Sequence, residues 1–517
     1  MRVTKTKALL SLIAVAGCAL PAIAQNEVGA AIGPRAGAFP DVIVSSVGAR
    51  NSNGVNFYGA SGGIGAYAIA SDSCNIGRAA SIWIDNTASQ YRNQHPVIGG
   101  QIYRLFNGRF EQIGQSWLKH GFCAADSCGG SPAGCTSIPY SATGPGQPTG
   151  CVNDTGIPAG ASSCDWLGFG RATDTYSAGL NGGQGFLGPR SEVNSWSGSF
   201  PYPWVRNGTN SVGCLNKRLL VRTTDLDPAN YPGAQFFGEV VYIITDEWPG
   251  ERYNNYSYRK LTRGNLGNAT SSDNSCAGGQ QSYLLTFASS EPTVAQQPAL
   301  AAWRAADPLV KVVTVDVPND GRIYIASRAT DRGDGTWNYE YAILNMNSDR
   351  GVSSFSIPKA AAVGVTFPAN HFKGIEYHSG EPYSMMPWTN ASETTSASWS
   401  TQPWTANQNA NAIRWSGMFN FRMVSNMAPK PGTVSLGLFK PGISTNDPSI
   451  ITASGLDVPN DPPCRADFDA SGVRDVQDIF SFLSAWFAAT PQADFDASGV
   501  RDVQDIFSFL SAWFAGC

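Results

Sequence analysis

Charge is what this chain has least of. Only 14 % of its 517 residues are charged, the net charge is −4, and four residues are histidine. No basic stripe is present to grip nucleic acid. No paired CxxC spacing occurs, and the one histidine near the main cysteine cluster is His120, so no zinc site is expected there. Past the N-terminus no apolar run reaches about 18 residues, so no membrane-spanning helix is expected. Catalytic signatures are missing too. Gly59-Ala60-Ser61-Gly62-Gly63 matches G-x-S-x-G, but IGAYAIAS follows it, a strand-like run where a nucleophile elbow needs a helix. Gly183 to Gly188 matches G-x-G-x-x-G, yet Pro189 follows and no βαβ unit surrounds it. A glycosidase carboxylate pair is defined by its separation in space, which sequence spacing does not supply.

Turn formers and aromatics are plentiful instead. Gly 56, Pro 32 and 11 % aromatic residues favour a mainly β protein with many turns. The length suits about three domains. The first 24 residues read as an export signal: Arg2, Lys5 and Lys7 precede the apolar run Ala8 to Ala16, and Ala22-Ile23-Ala24 is a cleavage site that leaves Gln25 first. Val15-Ala16-Gly17-Cys18 offers a competing lipid-anchor reading at Cys18. Export implies an oxidising compartment. Beyond Cys18, the cysteines are Cys74, Cys123, Cys128, Cys135, Cys151, Cys164, Cys214, Cys276, Cys464 and Cys517, an even set that suggests disulfides.

Residues 25–308 read as a β-rich, disulfide-containing domain, with strand-like runs at Ala80–Ile84, Val97–Leu105, Leu219–Thr223 and Phe236–Thr245. The stretch 295–308 is the best helix candidate there and is expected to close that domain. Residues 309–442 alternate more cleanly. KVVTVDV and GRIYIAS flank a turn, and WNYEYAILN places Trp337, Tyr339, Tyr341 and Ile343 on one face. Further strands are expected in SSFSI, AVGVTF, AIRWSGMFNFRMV and TVSLGLF, about seven in all, as in an Ig-like β-sandwich. Residues 443–463 lack periodicity, carry four Pro and read as a linker.

Three surface candidates have plain structural readings. Arg332-Gly333-Asp334 sits in a hairpin turn. His371, Glu376 and His378 are close in sequence, but their spacing fits neither one helical face nor one strand face. Trp388, Trp399 and Trp404 could stack on sugar rings or pack the sandwich.

The chain ends by repeating itself. ADFDASGVRDVQDIFSFLSAWFA fills 466–488 and returns unchanged at 493–515. Asp467, Asp469, Ser471, the Val473 carbonyl, Asp475 and Asp478 stand at positions 1, 3, 5, 7, 9 and 12 of an EF-hand-like loop, with Gly472 at the turn. The second copy offers Asp494, Asp496, Ser498, the Val500 carbonyl, Asp502 and Asp505, with Gly499 at the turn. Oxygen-only ligands in this spacing suit a hard cation, and two calcium ions are expected. A helix follows each loop. Val476, Ile479, Phe480, Leu483, Trp486 and Phe487 make its apolar stripe, and Phe482 widens it. In the second copy Val503, Ile506, Phe507, Leu510, Trp513 and Phe514 repeat it, with Phe509. One such helix cannot bury its stripe alone, so the two are expected to pair.

These two loop–helix units, with Asp in place of Glu at position 12, resemble a dockerin. Gly516-Cys517, with Cys464 ahead of the first loop, resembles the GC-type dockerins at the C-termini of secreted planctomycete proteins. The resemblance covers residues 464–517. It implies a small all-α module that binds calcium and docks onto a cohesin module of another protein. It places partner recognition on Val476, Gln477, Val503 and Gln504, and two identical copies imply binding in two orientations related by 180°. Ser471 and Ser498 depart from the commoner Asp or Asn. Cys464 and Cys517 bracket the module and are expected to pair, which would stabilise it by about 4 kcal/mol in the chain-entropy model. Upstream, GRFEQIGQSWLKHGF (108–122), LGPRSEVN (187–194), GTWNYEYAILNMNSDR (335–350) and FNFRMVSN–GLFKPG (419–442) resemble a group of uncharacterised secreted bacterial proteins. That resemblance implies no activity.

The expectation is thus a secreted or cell-surface calcium-binding protein. Its dockerin-like tail would dock a β-rich region onto a cohesin-like module or a cell-surface receptor. The alternative is a dockerin-borne enzyme or carbohydrate-binding protein of polysaccharide degradation. The enzyme reading is the weaker, and a polysaccharide-active hydrolase is the class it would imply.

Overall fold

The computed structural model describes residues 39–48, 54–83, 94–124, 135, 165–204, 213–271, 276, 279–288, 290–377, 380–461 and 464–515. These residues build a mainly β molecule with a small helical C-terminal region. Among the described residues no helix is long and apolar enough to cross a membrane.

Of five antiparallel sheets among the described residues, the four larger ones are stacked as layers. A three-stranded sheet (Val42–Val47, Ser71–Asn75, Ala172–Tyr176) lies over a nine-stranded one. At the centre of the large sheet run Tyr256–Gly267, Gln235–Ile243, Val97–Phe106 and Arg109–His120. Next come a six-stranded sheet built around Arg322–Asp331, Trp337–Asn345 and Gly417–Ser425, and a five-stranded sheet. Successive strand residues face opposite sides, so a strand with apolar residues on both faces can serve two layers. In Gln235–Ile243, Phe236, Val240 and Tyr242 enter the first core with Ile98, Ile102 and Val44. Their neighbour Phe237 enters a second core with Tyr103, Phe110, Leu344 and Met418.

The sandwich core lies between the six- and five-stranded sheets. Tyr339, Tyr341 and Ile343 are buried there with Phe355, Leu436 and Trp399, and Trp337 packs at its margin, as the alternation predicts. The opposite face of that strand is buried as well. Ala342 and Leu344 pack against the N-terminal sheet, so the two β regions share one apolar layer.

Two expectations are corrected. The helix expected over 295–308 covers only Ala301–Ala306. Pro308 disfavours helical backbone at Asp307, which is extended, and Gln296 adopts a φ of 62° ahead of Pro298. The short helix does not cap a rim. Trp303 and Ala302 are buried between the layers.

The stretch 443–463 is not all linker. Ile450–Pro459 is a strand that pairs along Pro429–Leu438. Its two-residue period is hidden by Gly455, which has a φ of +90° and bulges out of the ladder. Before it Ile451 and Ala453 face the core; after it Leu456 and Val458 do. Asp457 then ties this strand to the facing sheet through Lys311 Nζ (2.6 Å) and Ser327 Oγ (3.1 Å).

Disulfides join Cys74 to Cys135 and Cys214 to Cys276. Cys123 and Cys464 are also disulfide-bonded. Cys517, the partner expected for Cys464, lies outside the described residues, as do Cys128, Cys151 and Cys164.

Candidate functional site

Each repeated loop closes on its first aspartate. Ser471 N–H donates to Asp467 Oδ1 (2.9 Å) and Asp469 Oδ1 (3.0 Å), and Gly472 N–H donates to Asp467 Oδ2 (2.8 Å). Gly472 can do this because its φ is +84°, a conformation that side chains disfavour. The second copy repeats the pattern on Asp494, with Gly499 at +83°. The Ser471 hydroxyl donates to the Val473 carbonyl (3.1 Å), and the Ser498 hydroxyl to that of Val500 (3.0 Å).

The twelfth residue is the floor of the loop. Asp478 and Asp505 are fully buried. Asp478 accepts from Asp475 N–H (2.8 Å) and Asp469 N–H (3.2 Å), and Asp505 accepts likewise from Asp502 (2.8 Å) and Asp496 (3.2 Å). Burial alone would raise both carboxyls. The backbone N–H groups aimed at them more than offset it and hold both below the ordinary carboxylate value.

The result is two carboxylate triads, Asp467, Asp469, Asp478 and Asp494, Asp496, Asp505. In each, three ligand oxygens lie within 4.8 Å of one another. These sets can hold metal ions, and the hydroxyls and carbonyls beside them extend the all-oxygen donor set that a hard cation takes. Asp475 and Asp502, also expected as ligands, stand outside the triads. Their carboxylates accept from Gln477 N–H and Gln504 N–H (both 2.8 Å), and Asp475 is the N-cap of the first helix. The nearby cations turn away from the triads. Arg474 donates to the Trp513 carbonyl and Arg501 to that of Trp486.

The helices Val476–Phe487 and Val503–Ala515 pack on each other. Phe482 stacks on Phe509 with centroids 4.2 Å apart, and Phe468 and Phe495 meet the pair edge-on. Burying one such ring stabilises by about 1.5–3 kcal/mol. The end contacts are reciprocal. Trp486 Nε1 donates to Asp502 O (3.3 Å), and Trp513 Nε1 donates to Asp475 O (3.2 Å). The C-terminal turn of each helix thus meets the N-terminus of the other, so the pair is antiparallel about a pseudo-twofold.

No family model matches this chain, and no curated protein matches it in sequence. Function therefore rests on the site itself.

The apolar stripe divides in two. Ile479, Leu483 and Trp486 join Phe482, the centre of the core rather than its margin. Val476, Phe480 and Phe487 are left 59 %, 57 % and 77 % exposed, and Val503, Phe507 and Phe514 match them at 59 %, 58 % and 76 %. Gln477 and Gln504 are exposed beside them. A stripe this wide cannot all be covered by one partner helix.

Other candidates are dispersed. Trp388 and Trp399 are buried in the sandwich core, and Trp404 packs on Phe439, so they form no open platform for sugar rings. His371 accepts from Trp399 Nε1 (3.2 Å), Glu376 pairs with Arg222 (2.7 Å), and His378 lies outside the described residues. Gly62 and Gly63 turn a hairpin between Val55–Ser61 and Ile64–Ile69. Arg332-Gly333-Asp334 is an exposed hairpin tip.

Sequence spacing does not reveal the polar groups between the large sheets. Arg104 bridges Glu111 (2.6 Å) and Asp225 (2.8 Å), while Arg422 bridges Glu340 (2.6 Å) and Glu111. Glu239 accepts from Tyr103 Oη (2.9 Å) and Ala299 N–H (2.6 Å), and burial pushes its carboxyl up to about 7. His95 Nε2 lies 2.8 Å from His120 Nδ1, and His120 stacks on Trp204. Arg104 and Glu111 meet across one hairpin, but most of the other partners lie far apart in the chain, and only the strand order brings them together.

Proposed function

We propose that this is a secreted calcium-binding protein that uses its C-terminal repeat to dock a stack of β-sheets onto an extracellular partner, a cohesin-like module or a surface receptor. One observation carries the reading. Two identical exposed apolar stripes begin beside two all-oxygen carboxylate triads. Asp467, Asp469, Asp478, Ser471 and the Val473 carbonyl would hold one ion, with Asp475 at the loop's edge. Asp494, Asp496, Asp505, Ser498 and the Val500 carbonyl would hold the other, with Asp502 placed likewise. The ion would neutralise the crowded carboxylates and fix the start of each stripe at Val476 and Val503. Disulfide bonds and the export-like N-terminus support secretion.

Calorimetry with calcium should show two sites on the full chain and one on Asp467→Ala. Capture from extracellular and envelope proteins of the source organism should require both calcium and residues 464–517. Absence of calcium binding would defeat the reading.

A further inference from the structure

We propose that a second copy of this chain covers the exposed stripes when no other partner holds them, giving a closed twofold dimer. The proposal rests on the reading of the C-terminal repeat as a docking element. Successive helix residues turn by about 100°, which places Val476, Phe480 and Phe487 roughly a quarter-turn from the side that meets the other helix. The twofold that relates two antiparallel helices runs perpendicular to the plane holding both axes. It therefore carries a stripe on one side of that plane to the same side. Val476, Phe480 and Phe487 join Val503, Phe507 and Phe514 in one surface rather than two opposed ones.

The size of that surface argues against its being left bare. At about 150–250 Å² per aromatic side chain, four Phe that are 57–77 % exposed present roughly 400–700 Å². Val476 and Val503, together with the exposed Val473 and Val500, bring the total toward the ~800 Å² per partner of a stable interface. Monomers rarely show an apolar patch beyond about 300–600 Å². Along the helices the exposed polar positions Gln477, Ser484, Gln504 and Ser511 carry no charge, and the exposed charges at the helix starts, Arg474, Asp475, Arg501 and Asp502, are of both signs and in equal number. Two copies that meet through this surface make an isologous contact, the same patch on each chain. Because both stripes lie on one side, pairing uses them together and stops at two chains instead of growing a fibre.

Sedimentation equilibrium of the full chain in calcium, up to roughly 100 μM, should show a dimer, as an interface of standard size predicts. Phe480→Asp with Phe507→Asp should weaken it by about 30-fold or more, as for an aromatic hot spot. Phe480→Ala with Phe507→Ala keeps helix propensity and should act in the same direction. A chain that stays monomeric, or a dimer indifferent to both variants, overturns the proposal. Calorimetry on the same samples separates it from the calcium reading. Bound calcium with a monomer sinks only the dimer, and a stripe-dependent dimer without calcium sinks only the calcium reading.

Discussion

Between the large sheets, Glu111 and Glu340 share the guanidinium of Arg422, whereas in the C-terminal loops Asp467, Asp469 and Asp478 face backbone N–H groups. Both regions crowd acids together, the first buried between sheets, the second with only Asp478 and Asp505 buried. In the first, each charge is answered by an arginine from another strand, and Asn420 donates across the layer to the Phe110 carbonyl (2.9 Å). Such a network is closed and holds two sheets in register. In the second, three oxygens converge while the neighbouring Arg474 and Arg501 donate elsewhere, which leaves room for a bound positive charge. The difference separates acids that serve the fold from acids that can serve a ligand.

The largest effect is expected on the closed network. Arg422→Ala would leave Glu340 and Glu111 buried without their shared partner and should cost about 3–5 kcal/mol, read by urea denaturation. A cost under about 1 kcal/mol would mean that the acids find water or protonate freely, and the comparison would collapse.

Glu239 sharpens the contrast through pH. Its carboxyl is raised to about 7 by burial. Below about pH 4.3 the acid is neutral in both folded and unfolded chains, and its contribution is fully present. As pH rises toward 7 the folded state holds a proton that the unfolded state has lost, so stability falls through that window and levels off above it. The loss is on the order of 3 kcal/mol. Glu239→Gln should remove this slope, which denaturation at pH 5 and pH 8 would read.

The smallest effect is at the loop's edge. Asp475→Ala removes a helix N-cap and should cost about 1 kcal/mol without calcium, while Asp475→Asn keeps the cap and should cost only tenths. If Asn also leaves calcium affinity unchanged, Asp475 belongs to the helix and not to the ion.

The C-terminal loops were legible because their chemistry is local. Three triad aspartates and a turn glycine fall within twelve residues, and an identical copy repeats them. The sandwich face of Trp337, Tyr339, Tyr341 and Ile343 was legible for the same reason. The strand Ile450–Pro459 was not, since one left-handed residue at Gly455 reverses the alternation mid-strand. The Arg422 network was not, because Glu111 and Arg422 meet only after two sheets stack. Nor does periodicity alone say that Phe482 goes in while Phe480 stays out. Both lie on the same broad stripe, and the partner helix decides.

The strand at Ile450–Pro459 also sets how far the tail can wander. Only four residues, 460–463, separate it from Cys464, two of them Pro. Fully extended they span no more than about 14 Å, against about 70 Å for the 21 residues of 443–463. A partner that gripped the tail, as proposed, would hold the β layers at close range. So short a tether sweeps a small volume and keeps the C-terminal repeat beside the sheets, a head on a short neck.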